Sequence, residues 1–351
     1  MDMKDIKGMN ERHAAAWNTI PEIRFTGMNY IAGEWSAPRG SISVFDPSTT
    51  CAFAGVPEST PDELDKAVDA AGWAFKEWSG WSWVRRAEVI DDMVQLVKTH
   101  REELALLMAL ECGKHINECR ADVTEGIHML QYSAGMGRQP IGHKISSEIA
   151  DKESETYRMP KGVCVVITPW NFPFAIPTWL ISPALVSGNT VIFKPSEETP
   201  LCGQYLVALF HEAAQKHNVP RGVLNLVHGK GETIGDYLVR HPYTHGQLFT
   251  GSYKAGSGIK KIAAEHYDKF AICEMGGKNS LIVMDDANLD LAVKAAVLSV
   301  YKTTHQRCVS ADILIPHKKI ASTFTKQFID MTKRVRFGDP LGIRSYDAGS
   351  H

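Results

Sequence analysis

The sequence predicts a doubly wound α/β protein, on three observations. Five short apolar runs lie between residues 163 and 273: Val163-Cys164-Val165-Val166-Ile167, Thr190-Val191-Ile192-Phe193, Val223-Leu224-Asn225-Leu226-Val227, Gln247-Leu248-Phe249 and Phe270-Ala271-Ile272-Cys273. Runs of this kind read as strands buried on both faces of a parallel sheet. Helical stretches separate them, notably about 200–217 and 231–240, and that alternation marks a doubly wound domain. At 351 residues the chain also exceeds a comfortable single core, so two domains are expected.

The elements follow in order. Ile31 to Trp35 and Ser43 to Pro47 read as short strands with turns. Thr60-Pro61-Asp62-Glu63 opens a helix: Thr60 caps it, Pro61 sits where its missing N–H is harmless, and Glu63 completes a capping box. Leu64, Ala67, Val68, Ala71, Phe75 and Trp78 continue at helical spacing. A second long helix is expected over about 83–112 and a third over about 117–134. Residues 140–160 are polar and partly alternating, a projecting hairpin or a plain surface loop. After Glu274 a new unit begins, with strands at Leu281–Met284 and Ile313–Ile315 around a helix from Leu289 to Val300.

Composition narrows the function. A net charge of −2 gives no reason to expect nucleic acid as a partner. The seven cysteines are scattered without a C-x-x-C pair, so neither a metal site nor a disulfide framework is indicated, and free thiols point to the cytoplasm. Residues 1–25 lack the apolar segment of a signal peptide, and no run is long enough for a membrane span.

The chemistry-bearing motifs sit where expected strands end. Thr168-Pro169-Trp170-Asn171-Phe172-Pro173 follows the run ending at Ile167; the two prolines stiffen the turn, and the Asn171 amide can stabilise an oxyanion or merely make a turn. Lys194-Pro195-Ser196-Glu197 follows the next strand; taken alone it is no better than an exposed charged loop, though both side chains can bond ribose hydroxyls. The turn containing Gly229, Gly231 and Gly235 departs from the usual dinucleotide fingerprint. Gly251-Ser252 with Gly256 forms a second strand-to-helix turn, and either turn can offer N–H groups to a pyrophosphate. Glu274-Met275-Gly276-Gly277-Lys278 places a carboxylate at a strand end, where it can serve as a base. Cys308, in His305-Gln306-Arg307-Cys308, is a nucleophile candidate beside Arg307, although a cysteine is more often a small buried hydrophobe.

In order and spacing, these motifs resemble the aldehyde dehydrogenase superfamily, from about residue 28 to 340. Asp46-Pro47-Ser48-Thr49 and Leu110-Glu111-Cys112-Gly113-Lys114 are similar to its N-terminal landmarks. The resemblance implies a Rossmann-like cofactor domain (28–139 and 161–273) after an N-terminal extension (1–27). It also implies an oligomerisation arm (140–160) and an incomplete α/β catalytic domain (274–351). It implies NAD(P)-dependent oxidation of a small-molecule aldehyde to an acid through a cysteine thiohemiacetal and thioester. Cys308 is then the nucleophile, Asn171 and the Cys308 N–H the oxyanion donors, and Glu274 the base for water. Ile167, Thr168, Trp170, Lys194, Glu197, Gly231, Gly251, Ser252, Gly256 and Met275 are the expected cofactor contacts. Glu197 would repel a 2′-phosphate, which favours NAD over NADP.

Three departures stand out. His305 replaces the family's usual Gly, where a side chain can crowd the substrate tunnel or alter the Cys308 environment. Met275 replaces a common Leu, and Ile343 to His351 leave the family pattern. Full-length members continue much further and form homo-oligomers through that later part. Two other readings stand beside the enzyme: a non-catalytic binding or assembly protein, and one half of a split enzyme with a complementing chain.

Overall fold

A computed structural model describes residues 3–20, 27–36 and 41–342. The departure at Ile343 to His351 lies outside the described residues. The N-terminal part comprises α1 (Met3–Asn18), β1 (Tyr30–Ile31), β2 (Glu34–Trp35), β3 (Ile42–Phe45) and β4 (Ala52–Val56). Four helices follow: α2 (Pro61–Trp78), α3 (Trp83–Thr99), α4 (Arg101–Cys112) and α5 (Ile116–Met136). The hairpin strands β5 (Lys144–Ser146) and β6 (Glu153–Glu155) precede β7 (Val163–Ile167), α6 (Ala175–Val186), β8 (Thr190–Lys194), α7 (Pro200–His217) and β9 (Leu224–Leu226). A π-helical turn (Gly231–Gly235) leads into α8 (Asp236–Arg240), then β10 (Gly246–Gly251), α9 (Tyr253–Ala264) and β11 (Phe270–Met275). The last unit holds β12 (Asn279–Val283), α10 (Leu289–Tyr301), a 3-10 turn (Lys302–His305), β13 (Ala311–Pro316) and α11 (Ala321–Thr332).

The main sheet runs β11-β10-β7-β8-β9-β1-β2. Its first five strands are parallel, and β1 and β2 close it antiparallel. Side-chain alternation serves both faces. Val163, Val165 and Ile192 pack against Leu64, Ala67, Val68 and Ala71 of α2. Cys164, Val166, Val191 and Phe193 join the larger core built with α3 to α7. Each large apolar side chain fully buried in this way contributes about 1.5–3 kcal/mol. The expectation of burial on both faces fails at β11: it is the outermost strand, and Ile272 is 58% exposed.

Local signals act as the chain suggests at α2. The Thr60 Oγ1 accepts from the Glu63 N–H at 3.4 Å, and the Glu63 carboxylate accepts from the Thr60 N–H at 2.8 Å. The expected helix over about 83–112 is instead two, broken at His100 (φ −97°, ψ 18°). Glu102 and Glu103 supply the acidic first turn that a new helix start favours. Residues 140–160 form a hairpin, pairing Lys144 with Glu155 and Ser146 with Glu153, with both strands exposed.

Candidate active site

The sheet changes direction at β7. Strand β8 lies on one side of it and β10 on the other, with Ile167 paired to both Lys194 and Phe249. Connections leaving in opposite directions open a crevice beyond the strand ends, where ligands bind in such sheets. Thr168 begins that crevice, and its buried Oγ1 has no partner among the described residues. Trp170 is 41% exposed, and its carbonyl accepts from Thr199 Oγ1 at 3.2 Å.

Asn171 is fixed from two sides. Its carbonyl accepts from Lys114 Nζ at 3.0 Å, and its Nδ2 donates to the Gln306 carbonyl at 2.8 Å. Lys114 is fully buried and pairs with the equally buried Asp122 at 2.6 Å. Asp122 also accepts from the Ala175 N–H at 2.8 Å, at the start of α6. Burial works against the Lys114 ammonium, but Asp122 prevails and holds its pKa above the ordinary value. On Asp122 burial acts the other way and raises its carboxyl. The short contact and the further hydrogen bond to each partner are those of an ion pair. Rigidity in this turn therefore comes from the buried pair as well as from the prolines. Sequence reasoning did not single out Asp122; the available signal is an acid within the buried stripe Cys119, Asp122, Val123, Gly126, Ile127 of α5.

Two clusters flank Ile167 and Thr168. On the β8 side, Lys194 is the last strand residue and 1% exposed, so the exposed-loop reading fails for it. Its Nζ donates to the Pro195 carbonyl at 2.9 Å and to Glu197 at 3.1 Å, and Glu197 accepts from the Gly231 N–H at 3.4 Å. Burial pushes the Lys194 pKa down despite Glu197. Burial would raise Glu197, but the Lys194 ammonium outweighs it and holds the carboxyl below its usual range. On the β10 side, Gly251 lies opposite Met275 of β11. Ser252 Oγ caps α9 by accepting from the Ala255 N–H at 3.2 Å. Gly256 leaves little room there: a Cβ would come 2.6 Å from the Met275 sulfur, so that side chain would have to shift.

Glu274 lies opposite Thr250 on β11, with an exposed side chain. Cys308 is half-buried in the loop before β13. Asn279, at the start of β12, donates to the Cys308 carbonyl at 2.5 Å and to the Ser310 carbonyl at 3.0 Å. Asn171 reaches the same loop through Gln306. The structure thus gathers the three motifs by side chain-to-backbone bonds; among the described residues no direct hydrogen bond joins the side chains of Asn171, Glu274 and Cys308. Asn279 and Gln306 stand in or beside the motifs read from the sequence, but sequence reasoning gave neither a role. Thr303, Thr304 and His305, immediately before Gln306, carry φ of 55°, 50° and 66°. Left-handed backbone costs about 1–2 kcal/mol per non-glycine residue, so the cysteine loop is approached through a strained turn.

A doubly wound sheet with glycine turns at its strand ends, an amide and a carboxylate near them and a cysteine loop tethered alongside is the architecture of a nucleotide-binding α/β protein. The model of the aldehyde dehydrogenase family matches residues 35–350, and the chain belongs to that family. It is 38% identical over 314 residues to a D-glyceraldehyde dehydrogenase (NADP(+)) of Picrophilus torridus, covering 89% of this chain and 62% of that protein. It is 36% identical over 315 residues to a malonate-semialdehyde dehydrogenase of Lacticaseibacillus casei, covering 89% and 63%. Betaine aldehyde dehydrogenase from Staphylococcus aureus, solved in complex with NAD+, superposes with a TM-score of 0.87 at 32% identity, covering 93% of this chain and 65% of that one. The chain thus spans less than two thirds of the length of these relatives.

Proposed function

We propose that this chain carries the cofactor cradle and the reactive residues of an NAD(P)-dependent aldehyde dehydrogenase. Relatives named for NADP and a neighbour solved with NAD+ support the dinucleotide class. The residues present fit a dinucleotide: the crevice offers the orphaned Thr168 hydroxyl, the capped N-terminus of α9, and the Lys194–Glu197 pair at the end of β8. Glu197, held ionised by Lys194, disfavours a 2′-phosphate, so NAD is the preferred form. A bound oxidised nicotinamide supplies the hydride acceptor.

The observation that carries the reading is the joint tether of the cysteine loop by Asn171 and Asn279. The Cys308 thiolate attacks the aldehyde carbon through Sγ, and the carbonyl π pair moves onto oxygen to give the oxyanion of a thiohemiacetal. The Asn171 Nδ2 spends one N–H on Gln306 and has a second to offer the oxyanion, together with the Cys308 N–H. Loss of hydride from the adduct leaves a thioester. Glu274 takes a proton from water, the hydroxide attacks the thioester, and the acid leaves as the thiol is regenerated.

A second reading concerns completeness. Ile282, Ile313 and Ile315 on β12 and β13, with Met284 just past β12, are 45–66% exposed on the two-stranded sheet, and Ile272 is 58% exposed on the edge strand β11 of the main sheet. These open apolar surfaces favour further polypeptide packing here, from the same chain, a complementing chain or another copy. The test mixes the protein with NAD or NADP and with glyceraldehyde, malonate semialdehyde or betaine aldehyde, following absorbance of the reduced nicotinamide. Turnover abolished by Cys308→Ala is expected once these apolar surfaces are covered by the corresponding segment of a relative. Turnover that persists in Cys308→Ala sinks the mechanism.

A further inference from the structure

We propose that His305 is a positioning residue for Cys308, and that Asp312 is the shared anchor fixing the loops of Cys308 and Glu274 relative to each other. The inference rests on the thiol chemistry proposed above. His305 holds a φ of 66°, a conformation glycine adopts without strain, so a histidine there is set against its backbone preference. Its ring makes contacts that glycine cannot. Nδ1 lies 2.9 Å from the Val300 carbonyl at the end of α10, and Nε2 lies 3.4 Å from Asp312 Oδ1. The other Asp312 oxygen lies 2.5 Å from Lys278 Nζ. Lys278 closes the Glu274-Met275-Gly276-Gly277 segment, and His305 opens Gln306-Arg307-Cys308.

Asp312 is placed for this by a break in strand register. Asn279 pairs with Ala311 but Ser280 pairs with Ile313, so Asp312 is the extra residue of a β-bulge. Bulges re-aim side chains beside functional sites. Here one carboxylate meets the Lys278 ammonium from one loop and the His305 ring from the other, and Lys278 holds it below the usual carboxylate range. His305 thus does not simply fill the turn. It ties the strained approach to Cys308 to the same anchor that holds the loop of Glu274.

The test uses the 351-residue chain with His305→Gly, Asp312→Asn, Asp312→Glu and the His305→Gly/Asp312→Asn double variant. Iodoacetamide alkylation of Cys308 is read by peptide mass spectrometry with exposed Cys51 as the internal reference, alongside deuterium uptake of residues 302–309. Glycine relieves the turn, so His305→Gly folds at least as stably as the parent. His305→Gly and Asp312→Asn are each expected to accelerate both readouts about threefold or more. The double variant goes no further than the larger single change, because both remove one link, and Asp312→Glu stays near the parent. A smaller effect in either single variant, a double equal to the product of the singles, or an Asp312→Glu that behaves like Asp312→Asn overturns the proposal. A Cys308 inert to alkylation throughout defeats the thiol chemistry instead, and deuterium uptake still decides on the anchor.

Discussion

The buried pair Lys114–Asp122 gives the sharpest stability prediction. Both side chains are fully buried and 2.6 Å apart. Replacing Lys114 with Met strands a carboxylate that keeps only the Ala175 N–H, and leaves the Asn171 carbonyl without its ammonium donor. Removing one partner of such a pair costs about 3–5 kcal/mol, because the remaining charge stays buried and uncompensated. Asp122→Leu strands the ammonium and should cost a similar amount. The double variant loses no buried charge balance; it leaves two backbone groups short of partners, at about 1–3 kcal/mol each. Its destabilisation should therefore fall well below the sum of the singles. Urea unfolding followed by tryptophan fluorescence reads the midpoints, converted with a common slope. A Lys114→Met variant within about 1 kcal/mol of the parent, or strictly additive singles, would refute the argument.

Three further outcomes are expected. Glu111, buried and capping the Leu201 and Cys202 N–H groups of α7, has its pKa pushed by burial from 4.5 to about 7. The folded state then holds a proton that the unfolded chain has lost, so its share of stability falls by about 3 kcal/mol as pH rises across that window; pH-dependent melts should show this slope reduced in Glu111→Gln. Burial lowers the His13 pKa, but Asp46 at 2.5 Å and Asp339 at 2.9 Å outweigh it and raise the value above 6.5. The stabilisation is complete below 6.5 and lost as pH rises through the folded value, so proteolysis of α1 should accelerate there in the parent and show no such step in His13→Ala. Gly126→Ala sets a Cβ 2.6 Å from the Phe174 ring; overpacking of about 1–3 kcal/mol exceeds a helix-propensity gain of up to about 1 kcal/mol, and a thermal-shift assay should show a lower Tm.

The legible part of the fold follows local rules. The capping box at Thr60 and the apolar runs of β7 and β8 are signals written within a few residues, and the structure carries them out. The break at His100 was hidden because both flanking segments are helical, and the acidic pair Glu102–Glu103 that opens the second reads equally well as helix interior. Helix α1 was missed, although Ile6, Met9, Ala16 and Trp17 recur at helical spacing, because that stripe is sparse and His13 interrupts it. At the site, the motifs showed which residues end strands. They did not show that Lys194 is buried, that Asp122 braces Asn171, or that Asn279 grips the cysteine loop. The last two depend on partners many positions away, and the first on how the strands pack around Lys194.

Glu274 rides on the boundary strand of the main sheet, which among the described residues pairs with a neighbour on one flank only. A side chain mounted there answers to whatever docks alongside, while the interior strands that frame the crevice stay put. Polypeptide pairing along that margin would therefore set where the carboxylate points, with no change to the strands behind it.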